Sequence, residues 1–182
     1  MIEKAKQYIF EQSKKDTNKY GMRPFYSHFV PMVEYALELA EIREADKEIV
    51  WIAAWLHDIW SIMWSYENHH EWWANHAEEL LTEWWVEKEK IAAIKHCIFA
   101  HRWSHDIARD TIEAECICDA DAMSHFKDIT SLFSLAISTH WLDDIEAHKF
   151  VREKLDRSYA KMTPLAQEMI KDKYDAVKIL LD

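Results

Sequence analysis

The sequence has almost no glycine. Gly21 is the single one in 182 residues, where ordinary usage predicts roughly 13. Such a chain has little material for left-handed turns and helix ends, the positions where glycine is least strained. It also lacks a long apolar run. No stretch approaches the roughly 18 uninterrupted apolar residues of a membrane span. Basic residues are the minority, 22 against 33 acidic, for a net charge of −11. That argues against a nucleic-acid duplex as partner, which needs a basic footprint. It leaves room for a small anionic substrate held through a metal ion. Cysteine is confined to Cys97, Cys116 and Cys118. An odd count without CxxC spacing argues against a disulfide framework or a zinc knuckle, and reads as buried, reduced thiols of a cytoplasmic protein. The N-terminus, MIEKAKQYIFEQSKKD, is charged and amphipathic rather than a signal peptide. No HExxH occurs, which excludes a zincin peptidase.

What remains is an ordinary globular composition, 49% apolar and 30% charged, which excludes disorder as the main state. No run shows sustained alternation of β-branched residues, so no sheet is expected. The pattern predicts an all-α fold, one domain over 1–182, with seven to nine helices. The first covers about 2–15, and Gly21 and Pro24 punctuate the loop after it. The second runs from about Ser27 to Ile42, with Pro31 tolerable in its first turn. Asp46 caps a third, in which Ile49, Ile52, Ala53, Leu56 and Ile59 make a buried stripe. The pattern breaks over 60–68. Helices follow over His70–Trp85 and Glu87–Ala100, then a polar loop over 101–110. Thr111 with Glu115, or Asp110 with Glu113, starts the helix carrying EAECICDADAMSHF. Two C-terminal helices are expected over 143–160 and 163–181, with Pro164 in a first turn.

Histidine is abundant, at 11 residues. In chain order the candidates are His28, His57-Asp58, His69-His70, His96, His101 and Asp119/Asp121. Neighbours on a helix point about 100° apart, so His57 and Asp58 cannot share a straight face. At a helix C-terminus both can turn toward one ion beyond the helix end. Imidazole and carboxylate together suit Zn, Fe, Mn, Co or Ni and, less well, Mg. Mixed ligation leaves positions open for water, which a divalent ion activates for hydrolysis. His105, His125, His140 and His148 read as surface residues, Asp119 as a capping or supporting carboxylate, and Trp51 and Trp55 as packing groups.

The spacing H-x28-H-D-x62-D, carried by His28, His57-Asp58 and Asp121, resembles the HD-domain phosphohydrolase superfamily. WIAAWLHDI is similar to the apolar run that leads to the family's HD doublet, and DADAM to its late A-D-x-L element. HHEWWA, with His69, and AIKHCIFAHR, with His101 at its end, resemble the steps between. The resemblance covers about residues 25–130. It implies an all-α bundle with one or two divalent metals held by His28, His57, Asp58 and Asp121. It further implies attack of a metal-bound hydroxide on a phosphate ester or anhydride of a small molecule or nucleotide. Asp58 would contact the metal or bridge a pair. His69, His70, His96 and His101 would serve a second metal, phosphate contact or proton transfer, and Arg102 and Lys95 are the cations nearest in sequence. KMTPLAQEMIKDKY resembles the tail of small members of the family and is read as carrying no chemistry.

Tryptophan totals ten, and several stand where the family's HD-x-G and H-x-x-x-G-A steps have glycine or where a helix end or turn would suit it. Trp60 follows the HD doublet, Trp73 stands in the HHEWWA step, Trp85 precedes Val86 at a helix end, and Trp103 follows His101-Arg102. Trp141 is a further case. A gene that reads UGA as glycine, translated with UGA as tryptophan, would give this pattern. Three rival functions are weighed. A ferritin-like di-iron bundle needs two Glu-x-x-His pairs, and Glu67 with His70 is the only one found. An HD-scaffold di-iron oxygenase would use both extra imidazoles. A non-catalytic HD module would bind a nucleotide without turnover.

Overall fold

The computed structural model describes residues 2–63, 70–101 and 108–181, leaving aside the side chains of 60, 63 and 70–75. Helix starts follow the caps the sequence supplies. Asp46 accepts from the Glu48 and Ile49 amides and opens α3 (Lys47–Leu56). Thr111 accepts from Ala114 N–H and opens α7 (Ile112–Ser124). Asp143 and Glu146 form a reciprocal capping box at the start of α9 (Asp144–Ala160).

The remaining helices are α1 (Ile2–Ser13), α2 (Val30–Arg43), α4 (Ile59–Met63), α5 (His70–Glu83), α6 (Lys88–Ala100), α8 (Ile129–His140), α10 (Pro164–Met169) and α11 (Lys171–Leu181). No strand occurs among the described residues, so the chain is all-α as expected. Helix α7 is the centre. Cys116 through Ser124 are buried without interruption. Its Ala, Cys and Ser side chains are small enough for α2, α3, α6 and α9 to pack around it. All three cysteines are buried free thiols, and burial pushes Cys97 and Cys118 up to about 12. No described helix is long and apolar enough to cross a membrane.

Four elements differ from the sequence pattern. The third helix stops at Leu56, and Ile59 instead opens the short α4, which extends to Met63 into the expected break over 60–68. The second helix begins earlier, as a π-helical turn over Phe25–Phe29 in which Val30 N–H reaches Phe25 O. Pro31, the second residue of α2, brings no N–H and leaves the preceding carbonyls to this wider turn. Helix α8 is not foreseen. Its Thr, Ser and β-branched residues are poor helix formers, and it stands because Leu132 and Ala136 are buried as it packs on α9. The segment 163–181 is two helices, not one, with buried Ile170 between them.

Helix ends carry the left-handed residues. Trp85 has φ 62° and Trp141 φ 57°, as does Glu44. Val86 N–H bonds to Leu81 O and Trp85 N–H to Thr82 O, each at 3.0 Å. This double closure is the one glycine favours. The expectation of a glycine-type end before Val86 therefore matches the backbone. Positions 60 and 73 lie inside α4 and α5 without positive φ, so a glycine there would serve close approach rather than a turn. The side chains of Trp60 and Trp73, and all of Trp103, lie outside the described residues.

Candidate metal centre

Three helices bring their C-termini together, each ending in histidine. His57 ends α3, His101 ends α6 and His125 ends α7, all in right-handed helical conformation. The last carbonyls of a helix lack partners and carry partial negative charge, which favours a cation nearby. Two of the rings fold back onto their own helix. His57 Nδ1 donates to Ala54 O at 2.8 Å, and His101 Nδ1 to Ile98 O at 2.5 Å. The π turn adds His28, whose Nδ1 lies 2.8 Å from Ser124 Oγ. That hydroxyl already donates to Asp121 O at 2.7 Å. It therefore accepts from His28 Nδ1–H.

These bonds leave the Nε2 lone pairs of His28 and His57 facing each other at 3.0 Å. Asp58 Oδ2 lies 3.8 Å from the first and 4.0 Å from the second. Asp121 Oδ1 lies at 3.7 and 4.0 Å from the same two nitrogens. Burial pushes His57 down to about 4, against the pull of Asp58, and lowers His28 as well. Both rings are thus neutral near pH 7, and no proton sits between them. Burial alone would raise the Asp58 carboxyl, but the surrounding imidazoles, His101 first and then His57 and His28, outweigh it and hold it well below its usual range. Asp121 is held low in the same sense, with Lys161 outweighing burial. Two lone pairs and two carboxylates converging without a proton need a cation. Ligand atoms about 2.1 Å from a shared ion stand roughly 3.0–3.4 Å apart in octahedral or tetrahedral arrangements. The residues present fit a divalent metal.

Around this set, Asp58 reaches two ways. Its Oδ1 lies 3.7 Å from His101 Nε2 and accepts from Ser61 Oγ at 3.2 Å. Lys161 Nζ holds Asp121 Oδ2 at 2.7 Å, leaving Oδ1 to the imidazoles. His125 stacks on His28 at 5.6 Å and bonds through Nδ1 to Ser158 Oγ at 3.0 Å. With His28 and Asp121 it makes a second group whose ligand atoms lie within 4.8 Å of one another.

Of the residues singled out in the sequence, His28, His57, Asp58, Asp121 and His101 come together. His96 does not enter either ligand group, and its Nε2 is buried without a hydrogen-bond partner among the described residues. His69, Arg102 and His105 lie outside the described residues, as does the His70 side chain. Lys95 pairs with Glu78 rather than with the site. His125 is half-buried at the centre, not a surface residue; it follows Asp121 by one helical turn, a signal the sequence did carry. His140 and His148 are exposed, as expected. Asp119 is buried in a different network. It accepts from Arg43 Nη2 at 2.6 Å and from Thr163 N and Oγ1 at 2.9 and 2.5 Å. The C-terminal segment read as chemically silent thus supplies Lys161 to one carboxylate and Thr163 to the other.

A cleft of about 380 Å³ opens on this centre, lined by His28, Asp58 and His125 on one side and by Tyr20, Arg23 and Lys154 on others. Its size suits a small molecule.

Residues 25–125 match the HD domain family. The fold is similar to that of Bacillus subtilis YpgQ, at 21% identity, with 99% of this chain and 91% of that chain covered and a TM-score of 0.74. It is also similar to Bacillus subtilis YpgQ in complex with ADP, at 20% identity over 96% of this chain and 91% of that one, with a TM-score of 0.69. No curated protein matches the chain significantly. The family match spans more than half of the sequence and takes in all of the converging His and Asp residues, and the chain belongs to the HD domain family, a superfamily of metal-dependent phosphohydrolases.

Proposed function

We propose that the chain is a divalent-metal-dependent phosphohydrolase acting on a phosphate ester or anhydride of a small molecule or nucleotide. The observation that carries this reading is the 3.0 Å approach of two imidazole nitrogens between two carboxylates. His28, His57, Asp58 and Asp121 would hold the metal. A bound divalent ion acidifies water and offsets charge on phosphoryl oxygens. Asp58 spans toward His101, which orients it and is placed to hold or pass a proton beside the cleft. His69 and His70 remain candidates for a second metal or for proton transfer. Bacillus subtilis YpgQ, similar in fold, was crystallised with ADP, which supports a nucleotide as substrate. Residues 1–182 would form one functional unit, since the contacts of Lys161 and Thr163 tie the C-terminal helices to α7.

The test is a panel of nucleotides, phosphomonoesters and phosphodiesters, assayed with Mn, Mg, Fe, Co, Ni and Zn. Turnover in wild type and its loss in Asp58→Ala are expected. Equal turnover in the two proteins removes Asp58 from the mechanism. Binding of nucleotide without turnover under every metal converts the reading to a regulatory module.

Trp60, Trp73, Trp85, Trp103 and Trp141 would be glycines in the protein its gene encodes, through UGA read as glycine. Support comes from Trp85 and Trp141, which combine positive φ with 90% and 86% exposure. TGG codons at 60, 73, 85 and 103 would end this part of the reading.

A further inference from the structure

One face of α9 runs along the centre. Lys154, Ser158 and Lys161 recur at helical spacing, so they share that face. The face lies antiparallel to α7. Lys161 meets Asp121, and Ser158 meets His125. One turn further back, Lys154 passes the end of α7 at Ser124 and lines the cleft together with His28, Asp58 and His125.

The two lysines differ in their partners. Lys161 is neutralised by Asp121. Lys154 is half-buried, and no carboxylate or other hydrogen-bond partner meets it among the described residues. This happens in a protein with 33 acidic residues, where pairing is easily available. Burial pushes the Lys154 ammonium below its ordinary value, against the pull of Asp121. A desolvated cation without a counter-charge costs free energy, and an anionic ligand offsets that cost. Arg23 and Lys19 line the same cleft and also meet no carboxylate among the described residues. Arg23 bonds to the Ser134 hydroxyl, and Lys19 lies over the Tyr20 ring.

We propose that Lys154 is the anion anchor of the cleft, taking a phosphoryl oxygen of the substrate beside the Asp58 edge of the metal centre. This rests on the phosphohydrolase reading. Lysine suits the task as a compact point charge with three donors. The ligand class is a phosphate that presents at least one oxygen free of the metal. Arg23 and Lys19 extend the basic wall outward, toward any further anionic groups the substrate carries.

The test uses the full chain loaded with Mn and titrated with inorganic phosphate by calorimetry, with metal content measured on every sample. Lys154→Ala is expected to weaken phosphate binding about tenfold or more, the range for a charge-assisted hydrogen bond. Metal content should be unchanged. Lys154→Arg should recover most of the affinity. Lys149→Ala removes the same charge from an exposed position of the same helix and should leave affinity as in wild type. Where Lys154→Ala does not fold, Lys154→Met, which keeps the apolar stem, gives the same comparison. Unchanged affinity in the folded Lys154 variants overturns the proposal, as does an equal loss in Lys149→Ala. Hydrolysis by wild type with Lys154-independent phosphate binding rejects Lys154 alone. Lys154-dependent binding without hydrolysis of any phosphate compound rejects the hydrolase and keeps the anchor.

Discussion

Six helix ends in this protein solve the same problem in two ways. Helices α3, α6 and α7 stop at His57, His101 and His125, in ordinary helical conformation, and point these rings inward. Helices α2, α5 and α8 stop through left-handed Glu44, Trp85 and Trp141, whose backbones turn the chain away. In the first group an imidazole Nδ1 satisfies a last-turn carbonyl, for His57 and His101, and frees Nε2 for another task. In the second group the next amides do the satisfying and the side chain does nothing. A helix end that uses its side chain as cap can aim a ligand. An end that uses the backbone spends the residue on conformation alone. The centre takes His57, His101 and His125 from ends of the first kind and adds His28 from the π turn and Asp121 from within α7.

The sharpest test of that division is His57→Ala against His101→Ala. Each substitution orphans one carbonyl, a loss of about 1–3 kcal/mol in stability. Only the first removes an atom of the four-residue set. Metal affinity of His57→Ala should fall by more than about 100-fold, beyond the range of roughly 10–100-fold for outer partners. His101→Ala should stay within that range. Metal titration with content analysis reads the difference, and retention of metal by His57→Ala would dissolve the distinction between ligand ends and turning ends.

Acid should strike the inward ends and spare the turning ones. His57 titrates near 6.5 in the unfolded chain and at about 4 when folded. Between those values the unfolded state binds more protons, so stability falls as pH drops through the window. For His57 alone the loss is about 3 kcal/mol by pH 4. His28 and His125 are pushed in the same direction by burial. Asp58 and Asp121, held low in the fold, add their share only as pH falls below the ordinary carboxylate value. Urea unfolding in chelator at pH 7.5, 5.5 and 4.5 checks this. A flat profile over that range would mean that the imidazoles protonate freely in the folded state.

The inward ends were mostly legible in the sequence. The apolar stripe from Ile49 to Leu56 marked the helix that His57 ends, and Asp46 its start, although Ile59, read as part of the same stripe, opens α4. The doublet His57-Asp58 makes sense only at a C-terminus, where it lies. Other choices needed packing. Asp119 and Asp121 stand about 200° apart on a helix buried on every side, so burial does not separate strut from ligand; their partners do. His96 and His101 share α6, and only the docking of α6 on α3 and α7 decides which ring reaches Asp58. Lys154 and Lys161 were hidden because their meaning depends on the antiparallel register of α9 on α7, a long-range fact. Helix α8 was hidden because tertiary contacts override its weak propensity.

The turning ends offer the smallest effect and the cleanest sign. A non-glycine residue in the left-handed region costs roughly 1–2 kcal/mol. Trp85 and Trp141 are 90% and 86% exposed, so their removal sacrifices little burial. Trp85→Gly and Trp141→Gly should therefore each stabilise the protein by about 1 kcal/mol, a rise of roughly 2–4 °C in Tm for a chain of this size. Glycine is more flexible in the unfolded chain, which trims the gain without reversing it. The two sites end different helices, so their effects should add. Trp84→Gly is the opposite control. Trp84 has no positive φ and packs edge-on against Tyr8 at 5.9 Å, so its loss should lower Tm. A fall in Tm for Trp85→Gly or Trp141→Gly would mean that the indole contributes more than its backbone conformation costs, and those ends would then belong with the side-chain-capped group.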